Sequence, residues 1–165
     1  MFAATNTLSH NGGISVPAGG GQNIPVPGAL GRIERELSTS AVGMPAGARF
    51  SQRDYSLTYS EVGRYAFSRL TGRRVTTVDH LADAITNRVV DADEVPVLYL
   101  VKNGVPLIYN TRTAVALERA GVPRDRWLAV NKTGDSEIEL IMADRLRRNR
   151  LDTTLGIDRV VPRAR

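Results

Sequence analysis

The sequence PVLYLVKNGVPLIY occupies residues 96–109 and is the clearest structural signal in this chain of 165 residues. Pro96–Val101 and Val105–Tyr109 are both apolar and rich in residues that favour β-strands. Between them stands Asn103-Gly104, two residues that tolerate the positive φ angles of a tight turn between antiparallel strands. The stretch therefore predicts a β-hairpin at the centre of the fold.

Two helices are predicted upstream of the hairpin. Thr58-Tyr-Ser-Glu61 has the pattern of a capping box, in which Thr58 caps the helix and Glu61 bonds back to it, and Gly72 ends the helix. A second helix is expected from Thr77 to Arg88. In the first helix, four apolar residues at helical spacing are predicted to face the core: Val62, Tyr65, Ala66 and Leu70.

Helix and strand patterns also follow the hairpin. We expect a helix from Thr113 to Ala120 that stops at Gly121, a short strand over Trp127–Val130 and an amphipathic helix over Ser136–Asn149. This order of elements predicts an α/β or α+β domain, with a small, mostly antiparallel sheet flanked by helices.

The first 49 residues differ in composition from the rest of the chain. They contain nine of the 15 glycines, four of the eight prolines and a single aromatic residue, Phe2. Such a segment is typical of a linker or arm, with one short helix expected around Ala29–Leu37. We therefore predict an arm over residues 1–49, the run-up from a longer parent polypeptide, and a folded domain over residues 50–165.

The composition excludes several classes of protein. The chain has no cysteine, which excludes a disulfide scaffold, thiolate zinc sites and a cysteine nucleophile. Only His10 and His80 are available, so a histidine-rich metal site is excluded as well. No apolar run approaches the roughly 20 residues that a membrane helix needs, and no signal peptide is expected.

The net charge of +5 favours an anionic partner, most plausibly a nucleic acid. All but two of the 22 basic residues are arginines, the exceptions being Lys102 and Lys132. Arginine suits the planar recognition of phosphate better than lysine does. A GC-rich genome is an equally good explanation for this bias.

The segment Asn110-Thr-Arg-Thr113 is the first candidate site, because it connects a hairpin strand to a helix. Its amide, its hydroxyls and the free N–H groups of a helix start suit a bound phosphate, with Arg112 as a charged fork. The alternative is an ordinary N-cap, for which Asn and Thr are common residues. Arg112 favours the phosphate site, because a cation at a helix N-terminus opposes the helix dipole.

A second candidate site is Lys132 with Thr133, directly after the strand predicted for residues 127–130. Lys132 is one of only two lysines, and a lysine can act as a tunable proton donor. The alternative is a solvent-exposed turn that ends at Gly134.

Acidic residues have similarly divided interpretations. Asp79 lies in the first turn of the second helix, where a carboxylate is either catalytic or metal-binding or simply stabilises the helix dipole, and Glu61 shares this ambiguity. Asp91, Asp93 and Glu94 supply oxygen ligands of the kind that Mg²⁺ prefers. An acidic turn of this kind is more often only solvated.

Three arginines of the last helix, Arg145, Arg147 and Arg148, continue into Arg150 and form a dense basic stretch. They are candidates for binding a nucleic-acid backbone, or they complement the C-terminal end of the helix dipole. Trp127, the sole tryptophan, either stacks on a base or belongs to the core.

Several motifs between residues 55 and 160 form a joint pattern: Tyr99-Leu-Val101, Asn103-Gly104, Ile108-Tyr-Asn-Thr-Arg-Thr113, Ala116-Leu117, Ala120-Gly-Val-Pro123, Trp127, Thr133-Gly134 and Leu146 with Asn149. This pattern resembles the C-terminal toxin domains of contact-dependent growth inhibition (CdiA-type) adhesins. Within that group it is most similar to the toxins that cleave transfer RNA and have a core like that of the PD-(D/E)xK nucleases.

The resemblance implies an RNA-cleaving toxin that is secreted and presented at the cell surface within a larger adhesin, and that acts in the cytoplasm of a neighbouring bacterium. It also implies two partners, transfer RNA and a cognate immunity protein, which we expect to be acidic. The residues expected to carry out this reaction are, for catalysis, Thr111, Arg112, Lys132 and Asp79, and, for substrate binding, Asn110, Thr133, Trp127, Arg145, Arg147 and Arg148.

The chain departs from the nuclease pattern in one respect. Neither lysine has an acidic residue two positions before it, because Leu100 and Val130 stand there. The sequence therefore leaves the need for a divalent metal such as Mg²⁺ open. A metal-independent ribonuclease of the barnase–colicin kind and a non-catalytic nucleic-acid-binding module are the alternatives.

Overall fold

The computed structural model describes residues 40–164, and the short helix expected within residues 29–37 lies outside this range. The strands are β1 (Ser40–Val42), β2 (Arg49–Phe50), β3 (Asp54–Tyr55), β4 (Pro96–Lys102), β5 (Val105–Ile108), β6 (Leu128–Asn131) and β7 (Val161–Pro162). The α-helices are α1 (Glu61–Thr71), α2 (Val78–Thr86), α3 (Thr111–Arg119) and α4 (Ser136–Arg148). Short 3₁₀ turns occupy Ala92–Glu94 and Arg124–Arg126.

The predicted hairpin is confirmed. β4 and β5 pair antiparallel with Lys102 opposite Val105, and Asn103 has the positive φ of 50° that the turn requires. The other helices and strands predicted around it also form close to their expected positions, because each has a strong local periodicity or a clear end signal. The hairpin is thus the centre of an α+β domain, as predicted.

The main sheet is mixed, so the expectation of a mostly antiparallel sheet was wrong. Its order is β1-β6-β4-β5-β2, with antiparallel pairs at β1/β6 and β4/β5 and parallel pairs at β6/β4 and β5/β2. Helix α3 and the second 3₁₀ turn connect β5 to β6, and β6 begins at the same end of the sheet at which β5 finishes. Strand β6 therefore runs antiparallel to β5 and parallel to β4. A separate two-stranded sheet pairs β3 with β7.

The folded domain begins before residue 50, earlier than predicted. Ser40–Val42 form β1, which pairs with β6 at the edge of the main sheet. Met44 and Ala48 are also buried in the core. The high glycine and proline content of this segment concealed its contribution, because short edge strands and turns tolerate both residues.

Hydrophobic side chains cover both faces of the sheet. On one face, helices α2 and α3 pack together over Val97 and Ile108, and this larger cluster contains the fully buried Trp127. On the other face, Met142 and Leu146 of α4 pack against the β4–β5 hairpin. Within residues 40–164, no helix combines the length and apolar character needed to cross a membrane.

Helix α1 differs from its prediction in both its start and its orientation. Ser60 caps it by accepting a hydrogen bond from the Gly63 N–H, whereas Thr58 lies in an isolated bridge with Thr77. The predicted inward stripe faces solvent instead, with the Val62 side chain 79% exposed and that of Tyr65 65% exposed.

The opposite face of α1 anchors the helix. The rings of Phe67 and Tyr59 lie 4.9 Å apart, and the buried Thr71 hydroxyl donates a hydrogen bond to the Phe67 carbonyl. Two aromatic rings thus hold α1 through a contact that the apolar stripe did not indicate.

Close backbone packing at Gly156 holds the C-terminal segment against β2. Phe50 and Ile157 exchange backbone hydrogen bonds of 2.7 and 2.9 Å, and Gly156, which directly precedes Ile157, has a φ of 94°. A Cβ at Gly156 would lie 2.7 Å from the Phe50 carbonyl oxygen. Only glycine fits this position without a shift of the backbone.

We expect Gly156→Ala to lower the free energy of unfolding by about 3 kcal/mol, because it combines positive φ with a backbone clash. Gly72→Ala is the matched control, since Gly72 also has positive φ but nothing lies within 4 Å of its added Cβ. Gly72→Ala should lower the free energy of unfolding by only about 1 kcal/mol. Urea denaturation of both variants checks this, and equal losses would contradict the clash.

Candidate functional site

A cleft of about 480 Å³ lies where the N-terminal ends of α1 and α3 approach strand β4 and helix α4. Its walls contain two arginines together with aromatic, hydroxyl and amide side chains. The lining residues are Gln52, Tyr59, Ser60, Val62, Gly63, Ala66, Phe67, Leu98, Tyr109, Asn110, Thr111, Arg112, Thr113 and Arg145. The cleft therefore contains four of the residues predicted for the site: Asn110, Thr111, Arg112 and Arg145.

Arg112 lies in the first turn of α3 and reaches across to the segment before α1. Its guanidinium donates a hydrogen bond to the Thr58 carbonyl and lies over the Tyr59 ring, 5.6 Å from the ring centre. These contacts orient the cation but do not neutralise it. Within the described residues, Arg112 forms no ion pair with a carboxylate.

Arg145 enters the cleft from α4 and is partly buried. Its guanidinium donates hydrogen bonds to the Tyr109 carbonyl and the Ser51 hydroxyl, and it lies 4.7 Å from the centre of the Tyr109 ring. Burial lowers the pKa of Arg145, and the charges of Arg148 and Arg112 act in the same direction. The side chain stays charged, because arginine is not deprotonated in proteins. No carboxylate in the described part of the chain pairs with it, so an anion in the cleft would stabilise it.

Thr111 supplies a buried hydroxyl at the start of α3. The residue is 3% exposed, and its Oγ1 has no hydrogen-bond partner among residues 40–164. Buried polar atoms are nearly always satisfied, and the exceptions commonly lie at functional sites. The first turn of α3 contains no acidic residue and receives no side-chain cap from Asn110. This helix start is therefore suited to an anion.

Asn110 has a structural role in this arrangement. Its side-chain oxygen accepts a hydrogen bond from the Leu98 N–H at 2.8 Å, and its amide donates to the Pro96 carbonyl at 2.9 Å. The side chain thus continues the β4 pairing beyond the end of β5. Although it borders the cleft, its amide is already used by the sheet.

Tyr59 forms the wall between the two helix starts. Its hydroxyl donates a hydrogen bond to the Arg112 carbonyl at 3.3 Å. Burial raises the pKa of this hydroxyl well above its usual range, an effect that the nearby Arg112 charge only partly offsets. Tyr59 is therefore a neutral donor at physiological pH.

Lys132 and Thr133 do not line the cleft. The Thr133 hydroxyl accepts a hydrogen bond from the Val101 N–H at 2.9 Å and lies 2.6 Å from the Asn131 side-chain oxygen. The Lys132 N–H donates to the Tyr99 carbonyl at 2.7 Å. The segment is thus a turn that continues from β6 along the C-terminal end of β4, as in the alternative interpretation of these residues as a turn.

Asp79 is separated from the cleft. It forms an ion pair with Arg119, whose guanidinium also donates to the Tyr55 hydroxyl at 2.8 Å. Arg119 ends α3, whereas Arg112 lies in its first turn, and seven residues of helix span about 10 Å. The ion pair connects α2 to α3, and Asp79 does not line the cleft that contains Arg112 and Arg145.

The remaining predicted residues have other surroundings. In place of the expected stacking on a base, Trp127 is fully buried and its indole N–H donates to the Val122 carbonyl at 3.0 Å. Arg147 and Arg148 are exposed and both pair with Asp144, at 2.8 and 2.7 Å. The hydrogen bond from Arg147 lowers the pKa of Asp144.

The residues present do not fit a magnesium site. Among residues 40–164, no three acidic or histidine side chains form a group that could hold a metal ion. The acidic turn considered for Mg²⁺ is a capping box instead, in which the Glu94 carboxylate accepts a hydrogen bond from the Asp91 N–H at 3.0 Å. We therefore derive no chemical step through a metal.

Sequence reasoning missed Tyr59, because its contact with Arg112 joins residues 53 positions apart. A signal for Arg145 was present in the sequence. It follows Met142 by three positions and directly precedes Leu146, and both of these residues are buried. Helical phase therefore turns Arg145 towards the protein and leaves Arg147 and Arg148 outside.

Comparison of the chain with protein-family models, curated proteins and solved structures gives no match. The cleft is therefore interpreted from its own geometry.

The raised pKa of Tyr59 predicts an alkaline effect on stability. Because the folded state holds this proton more tightly than the unfolded state, its contribution is complete below pH 10 and is lost as the pH rises further. The free energy of unfolding of the wild type should fall relative to Tyr59→Phe, by up to about 1.4 kcal/mol per pH unit. Urea titrations between pH 9 and 11 test this. The exposed Tyr65→Phe is the control, and parallel pH profiles for wild type and Tyr59→Phe would contradict the assignment.

Proposed function

We propose that the cleft binds a phosphodiester of RNA and that this chain is an RNA-cleaving toxin domain. One observation carries the proposal: Arg112 and Arg145 reach the same cleft without carboxylate partners in the described part of the chain, beside the unsatisfied Thr111 hydroxyl. Two guanidinium groups and a hydroxyl donor match the oxygens of a phosphodiester in charge and hydrogen bonding.

The same groups suit transition-state stabilisation. In RNA, the 2′-hydroxyl can attack the adjacent phosphorus, which places extra negative charge on the phosphoryl oxygens. Preorganised cations in a partly buried cleft stabilise such charge, and the Thr111 hydroxyl adds a donor. The lining residues include no Asp, Glu, His or Lys. Hydroxide would therefore accept the 2′-hydroxyl proton, and water would supply one to the leaving 5′ oxygen.

The biological setting follows from the resemblance of residues 55–160 to contact-dependent toxins. In this proposal the substrate is transfer RNA, and the domain acts in the cytoplasm of a neighbouring cell after presentation on a larger adhesin. An acidic immunity protein protects the producer. The order α2-β4-β5-α3-β6 is compatible with a PD-(D/E)xK-like core. The cleft supports the chemistry of a metal-independent ribonuclease better.

A non-catalytic RNA-binding module is the second candidate. The absence of carboxylate and imidazole groups among the lining residues favours it, because binding needs no proton acceptor. Expression in a bacterium without a protective partner separates the two functions. A ribonuclease should be lethal at trace levels and create new ends in total RNA, whereas a binding module should be tolerated.

We expect Arg112→Ala and Arg145→Ala each to reduce RNA cleavage at least about 100-fold, because each removes a cation from the developing charge. New 3′ ends mapped in RNA from intoxicated cells provide the measurement. Circular dichroism checks the fold. The control is Arg159→Ala, which removes an exposed arginine that does not line the cleft. Full toxicity of a folded Arg112→Ala variant would refute the site.

The rate of cleavage should rise about tenfold per pH unit between pH 6 and 8, because hydroxide accepts the proton. Chelation of divalent metals should leave this rate unchanged on a purified transfer RNA substrate. A plateau near pH 6.5 would point to an imidazole base. Such a plateau, or inhibition by the chelator, would contradict the metal-independent mechanism.

A further inference from the structure

The outer face of α1 is unexpectedly apolar for a surface helix. Val62 and Tyr65 are largely exposed, and Leu70, which is 39% exposed, continues the row. The core does not use these side chains, because the contact of Phe67 with Tyr59 and the buried Thr71 lie on the other face of the helix. The exposure of Tyr65 therefore needs another explanation.

This face is continuous with the cationic cleft. Val62, Gly63 and Ala66 line the cleft, and Tyr65 follows Val62 by three positions, so the two side chains are neighbours on the helix surface. The Tyr65 ring therefore lies on the flank of α1 next to the wall of the cleft.

A cation lies against the Tyr65 ring. The Arg69 guanidinium lies 5.8 Å from the centre of the Tyr65 ring and donates a hydrogen bond to its hydroxyl at 3.5 Å. Arg64 is a further exposed cation on this helix. An exposed aromatic ring beside arginines is the arrangement by which proteins stack unpaired bases while the cations contact the backbone.

We propose that Tyr65 stacks on an unpaired base of RNA whose neighbouring phosphate lies in the Arg112–Arg145 cleft. The inference rests on the proposed function and adds the substrate class. The bond presented to the cleft lies in a single-stranded segment or loop, because a base paired within a duplex is already stacked and cannot reach the ring. Tyr65 is thus a positioning residue, and it supplies the stacking that the sequence suggested for Trp127.

The test measures binding of a 2′-O-methyl oligoadenylate of eight nucleotides to the full chain by fluorescence anisotropy. The blocked 2′ oxygen prevents cleavage by the proposed route, so affinity is measured alone. Tyr65→Leu keeps an apolar side chain but removes the aromatic ring, and it should weaken binding about 5- to 100-fold. Tyr65→Phe should bind like the wild type. Leu140→Ala, at an exposed position on α4, is the control.

A second measurement reports stacking directly. Tyr65→Trp introduces an exposed indole, whereas the native Trp127 is fully buried and contributes a constant background. Addition of the oligoadenylate should quench the new fluorescence, because a base stacked on the indole quenches it. Leu140→Trp should show no such change.

The outcomes separate the inference from the function on which it rests. If Arg145→Ala loses binding while Tyr65→Leu binds normally, the phosphate site stands and the stacking role is overturned. Equal losses for Tyr65→Phe and Tyr65→Leu would also overturn it, because the ring alone should suffice. If Arg112→Ala and Arg145→Ala both bind normally, the proposed cleft fails. If Tyr65→Leu spares RNA binding but weakens an acidic protein inhibitor, α1 is a protein-docking face and the inference is wrong.

Discussion

The side-chain amide of Asn110 determines where the cleft forms. By accepting from the Leu98 N–H and donating to the Pro96 carbonyl, it fastens the end of the hairpin to β4 and fixes the residue at which α3 begins. Thr111 and Arg112 follow directly, so their positions depend on this pair of hydrogen bonds. The geometry of the site therefore depends on the β4–β5 hairpin, which is the most regular part of the sheet.

The elements that the sequence predicted well are those whose signals are local. The Asn103-Gly104 turn and the periodicity of residues 136–149 specify their structures without help from distant residues. The burial of α1 was not predictable in this way. Its apolar stripe has the spacing of a buried face, yet the rings of Tyr59 and Phe67 hold the opposite side. Periodicity identifies a helix but does not say which face the rest of the protein covers.

The candidate site was predictable to a similar extent. Arg112 stood out because a cation at a helix start is electrostatically unfavourable, and the structure places it in the cleft. Tyr59 gave no local signal, because its role depends on a contact across 53 residues. Lys132 and Asp79 have the residue types of catalysis, but a turn after β6 and an ion pair with Arg119 account for their positions. Residue type alone therefore does not distinguish a catalytic side chain from a structural one.

The cleft takes its walls from α1, β4, α3 and α4, segments that are far apart along the chain. Contacts of such long range carry a loop-closure cost and are absent from the extended chain. In an unfolded or partly folded chain, Arg112 and Arg145 are therefore apart and fully hydrated, and the cleft that joins them does not exist. On the proposed function, folding itself is therefore the activation step, because the charged cleft is absent while the polypeptide is extended and forms only once α1, α3 and α4 have met.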